Sequence, residues 1–199
     1  MPLSSHDHAT LADIDAANAA DPRLETVDGV NRPREVVYAE RMSACLSRLY
    51  PQASSELHIA ARAQHLCRWQ IPRDGYPTGR EGYNAWRDAC RQLHADLASA
   101  IMRRHGYAEP AIAQVAKIIK KEDLKRDPES QALENVVAVV FVRHYLEAFL
   151  ADHNTYDDDR IVTILRKTLR KMDATGHAAV LDLQVSAHVR RLIDMAVAA

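Results

Sequence analysis

The chain has 199 residues, of which 47% are hydrophobic and 27% are charged, a balance that excludes a disordered or fibrous protein. Lys and Arg number 26 against 27 Asp and Glu, so the formal net charge is −1 and no overall field attracts nucleic acid or an anionic membrane. Three widely spaced cysteines fit neither a disulfide framework nor a zinc-finger spacing. With no leader pattern and no apolar run of about 18 residues, we expect a cytoplasmic protein.

The chain begins with helical patterns separated by turns. A first apolar helical pattern ends at Asp21-Pro22, because the residue before a proline is pushed out of the α region. Asp28-Gly29 predicts a loop, and Pro33 suits the first turn of a helix that continues to Tyr50. We therefore expect residues 1–32 to form a peripheral segment.

The next helix is predicted to begin at a serine cap, Ser54, and to continue to about Trp69. Two prolines and two glycines then fall within residues 71–79, which predicts a fixed loop. Thr78 and Glu81 have the spacing of a capping box, so a long helix should follow this loop.

The second half of the chain is predicted to be helical as well. Asp127-Pro128 is a cap followed by a favourable first-turn proline, and the helix that it begins should reach about Ala151. Its centre, Val136–Val142, is apolar on every side, as expected of a helix at the hub of a bundle. A following helix should end near Gly176, and a last one should begin near Ser186. The sequence thus predicts an all-α, single compact bundle of about seven helices over residues 1–199.

Polar residues suited to ligand binding concentrate between Arg62 and Asn135. In the helix expected to reach Trp69, Arg62, His65 and Trp69 are three and four residues apart and would share one face. Arginines and aromatic residues then alternate through the loop and the next helix, a mix that suits a carboxylate or phosphate ligand. It equally suits surface stacks of arginine on aromatic rings, and a histidine in such a helix is more often a core residue.

His65, His94 and Glu134 follow one another in the coarse order of metal ligands in helical hydrolases of the HD type. In such a site imidazole and carboxylate groups from separate helices hold a divalent ion that activates water. This chain departs from that order at Ala95 and Asn135, where carboxylates would be expected. An amide is a poorer ligand than a carboxylate, so the departure weakens the case for a tight metal site.

Several stretches together form a recognisable pattern, namely Ala60–Arg73, Tyr76-Pro77, Gly82-Tyr83, Trp86-Arg87, His94-Ala95 and Asp127–Glu134. They resemble an uncharacterised family, domain of unknown function 4202, and the resemblance extends over nearly the whole chain. The family pattern has Leu-Glu-Asp where this chain has Leu133-Glu134-Asn135, whereas His94-Ala95 fits the pattern. The resemblance implies no known reaction.

We therefore expect a small-molecule enzyme, hydrolase- or lyase-like, that acts on a carboxylate- or phosphate-bearing substrate. The alternative is a non-catalytic sensor of an anionic metabolite, or a module that binds protein or RNA through the arginine and aromatic residues. For the leading hypothesis the expected partner is a small anionic molecule, and neither a membrane nor nucleic acid. His65, His94 and Glu134 are the expected catalytic groups, and the same three are the ligands if a divalent metal ion is a cofactor. The expected substrate-binding residues are Arg62, Gln64, Arg68, Arg73, Tyr76, Arg87, Lys121 and Lys125.

Overall fold

Helices form most of the chain in the computed structural model, which describes residues 3–198. The predicted all-helical character is confirmed at this coarse level, but the expected number of about seven helices is too low. Within residues 3–198 there are ten α-helices, two 3-10 turns at Arg68–Gln70 and Arg73–Gly75, and one β-hairpin. The helices are α1 (Ser5–Asn18), α2 (Arg34–Leu49), α3 (Ser55–Arg62), α4 (Gly79–Arg104), α5 (Glu109–Lys120), α6 (Pro128–His144), α7 (Leu146–Asp152), α8 (Asp158–Leu169), α9 (Ala174–Leu181) and α10 (Ala187–Val197).

Contacts within the chain divide it into two compact units, Met1–Asp123 and Leu124–Ala199. The single domain expected over residues 1–199 stays a prediction. Within residues 3–198, no helix combines the length and the hydrophobicity that a transmembrane span requires.

The first unit contains a β-hairpin where the sequence predicted only a loop. Strands β1 (Leu24–Val27) and β2 (Val30–Pro33) pair antiparallel, with Val27 opposite Val30. Asp28 and Gly29 join them with φ angles of 51° and 78°, the left-handed conformation that Asp-Gly favours in tight hairpin turns. The prediction of no strands was wrong here because each strand has only four residues, too few for a clear alternation.

Helices α2, α3, α4 and α5 pack around the core of the first unit, and α1 lies against α3 and α4. Ser54 caps α3 as predicted, since its hydroxyl accepts the Leu57 N–H at 3.0 Å. The fully buried side chains of this core include Ile14, Met42, Leu46, Ile59, Leu66, Met102, Ile112, Ile118 and Ile119.

Helix α3 ends at Arg62, well before the predicted end at Trp69. Residues 63–67 form turns, and Cys67 takes the left-handed conformation with φ 54°. The buried side chain of Asn18 on α1 fixes this turn, since its Oδ1 accepts the Cys67 N–H at 3.0 Å. The prediction that Arg62, His65 and Trp69 share a helical face was therefore wrong. The Cys67 N–H, which a continued helix would use, binds the distant side chain of Asn18 instead.

The predicted capping box at the start of α4 does not form. Thr78 occupies the N-cap position, but its side chain makes no capping hydrogen bond. The start of the helix is instead packed tightly against the preceding loop: a Cβ atom built on Gly82 would collide with the carbonyl of Pro77.

Gly82→Ala is expected to lower the free energy of unfolding by about 1–3 kcal/mol, since overpacking against backbone forces a main-chain shift. Gly75→Ala is the matched control, because a Cβ atom at Gly75 meets nothing within 4 Å. That variant should change stability by no more than about 1 kcal/mol. Urea denaturation of the two variants measures both effects, and an equal loss in the two would contradict the packing argument.

In the second unit, α6 is buried along most of its length, as the apolar pattern predicted. Asp127 caps it by accepting the N–H groups of Glu129 and Ser130 at 3.0 and 2.8 Å. The predicted single helix is broken at Tyr145, beyond which α7 begins. The helix expected to end near Gly176 ends at Leu169.

Helix α9 was missed by the sequence prediction, and its first turn is built on the amide of Asn135. Asp173 caps α9, since its Oδ1 accepts the Gly176 N–H at 3.1 Å. Asn135 donates from Nδ2 to the same carboxylate at 2.7 Å and accepts from Gln131 Nε2 at 3.1 Å. A carboxylate at position 135 could not donate to Asp173. The amide that departs from the family pattern therefore holds the residue that caps α9.

Candidate functional site

His65 lies in the turn after α3 and is held on both ring nitrogens. Its Nδ1 is 3.2 Å from Oε2 of Glu35, and its Nε2 is 2.7 Å from Nη1 of Arg68. The ring stacks on Tyr38 with centroids 3.8 Å apart and an interplanar angle of 8°. A guanidinium group can only donate, so Nε2 accepts and the proton of the neutral ring sits on Nδ1, facing the carboxylate.

The environment of His65 favours the neutral imidazole. Burial lowers its pKa well below the usual 6.5, and the positive charges of Arg68 and Lys121 lower it further. The side chain keeps 21% of its area exposed, so solvent reaches the ring. His65 is thus an accessible imidazole that stays unprotonated at neutral pH.

Glu35, in the first turn of α2, is anchored by groups from the irregular segment between α1 and the hairpin. Its carboxylate accepts Nη2 of Arg23 at 2.6 Å, and its backbone N–H donates to Asp21 at 3.2 Å. Arg23 also donates from Nε to Asp21 at 3.0 Å. Burial raises the pKa of Glu35, while Arg23 and Arg68 act in the opposite direction.

One face of α4 closes the other side of this cluster. Trp86, Cys90 and His94 are four residues apart and therefore lie on one face of the helix. The guanidinium carbon of Arg68 lies 4.6 Å from the centroid of the Trp86 ring. The rings of His65 and His94 are 5.9 Å apart, so the structure brings together the two histidines that the sequence singled out.

His94 is 1% exposed, and among residues 3–198 neither of its ring nitrogens has a hydrogen-bond partner. The Gln64 backbone acts to raise the pKa of His94, but it does not form a hydrogen bond of normal geometry with the ring. Burial, followed by His65 and Arg68, holds the pKa of His94 well below 6.5. Most buried polar groups in proteins are hydrogen-bonded, so an imidazole without partners calls for an explanation.

Two of the predicted substrate-binding arginines are engaged elsewhere. Arg62 makes a two-pronged ion pair with Asp15, with both N···O distances 2.6 Å. Arg73 donates to the backbone carbonyls of Tyr76 and Pro77, each at 3.0 Å. Arg62 thus ties α3 to α1, and Arg73 fixes the loop before α4.

Three other predicted binding residues surround the cluster more closely. Gln64 is buried, and its Oε1 has no partner within the described part of the chain. Lys121 is buried at the end of α5 in the left-handed conformation, with φ 59°, and its charge acts on His65. The guanidinium carbon of Arg87 lies 5.8 Å from the Tyr83 ring centroid. Burial raises the pKa of the Cys90 thiol, and the charges of Arg68 and Arg87 act to lower it.

Three predicted residues remain. Tyr76 follows the 3-10 turn Arg73–Gly75 in the loop before α4, whereas Glu134 and Lys125 belong to the second unit. Glu134 is buried in α6, with Oε1 4.0 Å from Nζ of Lys171. Lys125 is exposed and donates to the carbonyl of Arg170 at 2.8 Å. Their participation in one site with the histidines stays a prediction.

The donor set around His65 is poorly suited to a cation. Its Nε2 lone pair already accepts from Arg68, and positive charges on Arg68, Lys121, Arg34 and Arg23 act on the ring. Within residues 3–198, no group of three or more His, Cys, Asp or Glu side chains has the arrangement of a metal site. A metal ion on His65, His94 and Glu134 stays a prediction that this environment does not favour.

Sequence reasoning missed Asp21, Arg23 and Glu35. A signal for Glu35 was available, because Glu35, Tyr38 and Met42 recur at helical spacing on the buried face of α2. A carboxylate within an apolar stripe is seldom buried without a partner. Asp21 and Arg23 flank Pro22 in an irregular segment, where no periodicity reveals which side chains point inward.

Comparison with known proteins gives one relationship. The model of a family described as "Domain of unknown function (DUF4202)" matches residues 8–193. The search of curated proteins and the search of solved structures each give no match.

Proposed function

We propose that this chain, which belongs to the DUF4202 family, is a small-molecule enzyme whose first unit binds an anionic substrate beside the Glu35–His65–Arg68 cluster. The substrate bears a carboxylate or a phosphate, and the reaction is a hydrolysis or an elimination with His65 as the acid-base group. The observation that carries the proposal is the row of hydrogen bonds from Glu35 through His65 to Arg68.

The charges around the cluster favour an anion. Four cationic groups act on His65, namely Arg68, Lys121, Arg34 and Arg23. Of these, Arg23 binds the carboxylates of Glu35 and Asp21, whereas Arg68 donates to the neutral ring of His65. An anionic ligand would offset the charge of Arg68, which can bind a carboxylate or phosphate with two N–H groups.

Arg68 links substrate binding to the availability of the base. Its Nη1 occupies the Nε2 lone pair of His65. A bound anion competes for this guanidinium, which leaves Nε2 able to accept a proton from water or from a substrate C–H. The negative charge also raises the pKa of His65 toward neutrality, where an imidazole is most effective as a base. Glu35 holds Nδ1–H and stabilises the imidazolium that forms, the role of the carboxylate in a histidine dyad.

Arg68→Met is expected to weaken the binding of inorganic phosphate or of propionate by about tenfold to a hundredfold, since a charge-assisted pair contributes more than a neutral hydrogen bond. Arg103→Met is the matched control, because Arg103 forms an exposed pair with Glu109 at 2.9 Å. Isothermal titration calorimetry of the two variants and the parent protein measures the difference. Equal affinities in all three proteins would overturn the proposed anion site.

Turnover separates an enzyme from the non-catalytic sensor. Phosphate release from phosphate monoesters reports hydrolysis, and ultraviolet absorbance of the unsaturated product reports dehydration of 3-hydroxy carboxylates. His65→Gln should retain anion binding and lose at least about a hundredfold in turnover, as expected of a general base. Binding without turnover of either substrate class would instead favour the sensor.

A further inference from the structure

We infer that the ligand of this site carries, a few bonds from its anionic group, a neutral hydroxyl that hydrogen-bonds to His94. This inference rests on the proposed anion site and specifies the substrate class: hydroxy carboxylates, or phosphate esters with a free hydroxyl. The observation behind it is the buried imidazole without partners on the inward face of α4.

The position of His94 places it within reach of a small ligand held by Arg68. Its ring centroid is 5.9 Å from that of His65, and the Nε2 of His65 is 2.7 Å from Arg68. The charges of both Arg68 and Glu35 act on His94. Solvent reaches His65, whereas His94 is buried, so a ligand entering beside His65 would meet Arg68 with one end and His94 with the other.

The protonation state of His94 determines the kind of group that it can recognise. A neutral imidazole has one N–H donor and one acceptor nitrogen. An alcohol hydroxyl also donates one hydrogen bond and accepts others, so it can pair with either nitrogen. A second carboxylate or phosphate fits less well, because burial and the neighbouring Arg68 oppose the imidazolium that would pair with it.

The unused hydrogen-bonding capacity of His94 also suggests selectivity. A site with buried polar groups discriminates strongly against an analogue that leaves those groups unpaired. Neither nitrogen of His94 makes a hydrogen bond of normal geometry within residues 3–198, although the Gln64 backbone acts on the ring, and such an arrangement disfavours the fold by itself. A ligand hydroxyl would remove this penalty on binding, and a ligand without the hydroxyl would not.

The test compares matched ligand pairs that differ only in the hydroxyl: lactate with propionate, and 2-hydroxyethyl phosphate with ethyl phosphate. We expect the hydroxyl-bearing member of at least one pair to bind about tenfold or more tightly to the parent protein. His94→Leu should abolish this preference while leaving affinity for the hydroxyl-free member within about twofold. His94→Gln keeps a donor and an acceptor and should retain part of the preference, and circular dichroism verifies that both variants fold.

The outcomes separate this inference from the proposed function. If both members of each pair bind equally to the parent protein, or if the preference survives in His94→Leu, the hydroxyl inference is overturned and the anion site remains. If no member of either pair binds, or if binding is unchanged by Arg68→Met, the proposed anion site fails and the hydroxyl inference fails with it.

Discussion

Glu35→Ala is expected to lower the free energy of unfolding by about 2–4 kcal/mol, because it breaks an ion pair whose carboxylate is buried and removes the partner of a partly buried imidazole. The Glu35 side chain is 3% exposed and accepts from both Arg23 and His65. Arg23 is 41% exposed and can be rehydrated when the carboxylate is lost, which places the expected effect below that of a fully buried pair. Urea denaturation at neutral pH measures the change.

Glu40→Ala provides the control for this prediction, since Glu40 lies on the same helix and also pairs with an arginine. Its carboxylate is 42% exposed and binds Arg32 at 2.6 Å. Exposed ion pairs contribute little, so this variant should lose no more than about 1 kcal/mol. Equal losses in the two variants would show that the burial of Glu35 does not increase its contribution to the free energy of unfolding.

Acid is expected to destabilise the protein through the two neutral histidines of the candidate site, His65 and His94. Burial lowers the pKa of both His65 and His94 well below 6.5, so below that pH the unfolded chain binds protons that the folded protein does not. The stabilisation is complete above about pH 6.5 and is lost as the pH falls toward the folded pKa, by about 1.4 kcal/mol per pH unit for each histidine. Between pH 7 and pH 5 we expect His94 to account for a loss of at most about 2 kcal/mol, and the partly exposed His65 for a smaller one.

Other groups titrate in the same range, so the contribution of His94 is isolated by substitution. The raised pKa of Glu35 acts in the opposite direction, since its stabilising effect is lost as the pH rises through the folded pKa. The difference in unfolding free energy between the parent protein and His94→Leu removes this common background. The parent should lose stability relative to the variant from pH 7 to pH 5, by at most about 2 kcal/mol. A pH-independent difference would mean that His94 takes up its proton as readily in the folded protein as in the unfolded chain.

The helical class was predictable from the sequence because it depends on local patterns. Ser54 and Asp127 cap their helices as expected, and the apolar centre of α6 is buried. Predictions failed where a contact with a residue distant in sequence determines the backbone conformation. The turn at Cys67 depends on Asn18, forty-nine positions earlier in the chain, and no periodicity in the sequence around Cys67 indicates that contact.

The candidate site was predictable in part for a similar reason. His65, Arg68 and His94 stand out by residue type, and the structure brings them together. Arg62 and Arg73 have the same appearance in sequence, but they bind Asp15 and backbone carbonyls. Residue type indicates what a side chain can bind, whereas the choice between a protein partner and a ligand is made by the tertiary fold.

The anchoring of the His65 turn on α1 has a practical consequence for shortened forms of the protein. Asn18 holds the Cys67 amide, and Asp21 and Arg23 together hold Glu35. All three precede α2, so a chain trimmed to begin at Arg34 would lack every one of these anchors. Such a fragment could keep many of its helices and still present His65 in the wrong orientation, which makes the N-terminal region indispensable in any minimal version intended for ligand screening.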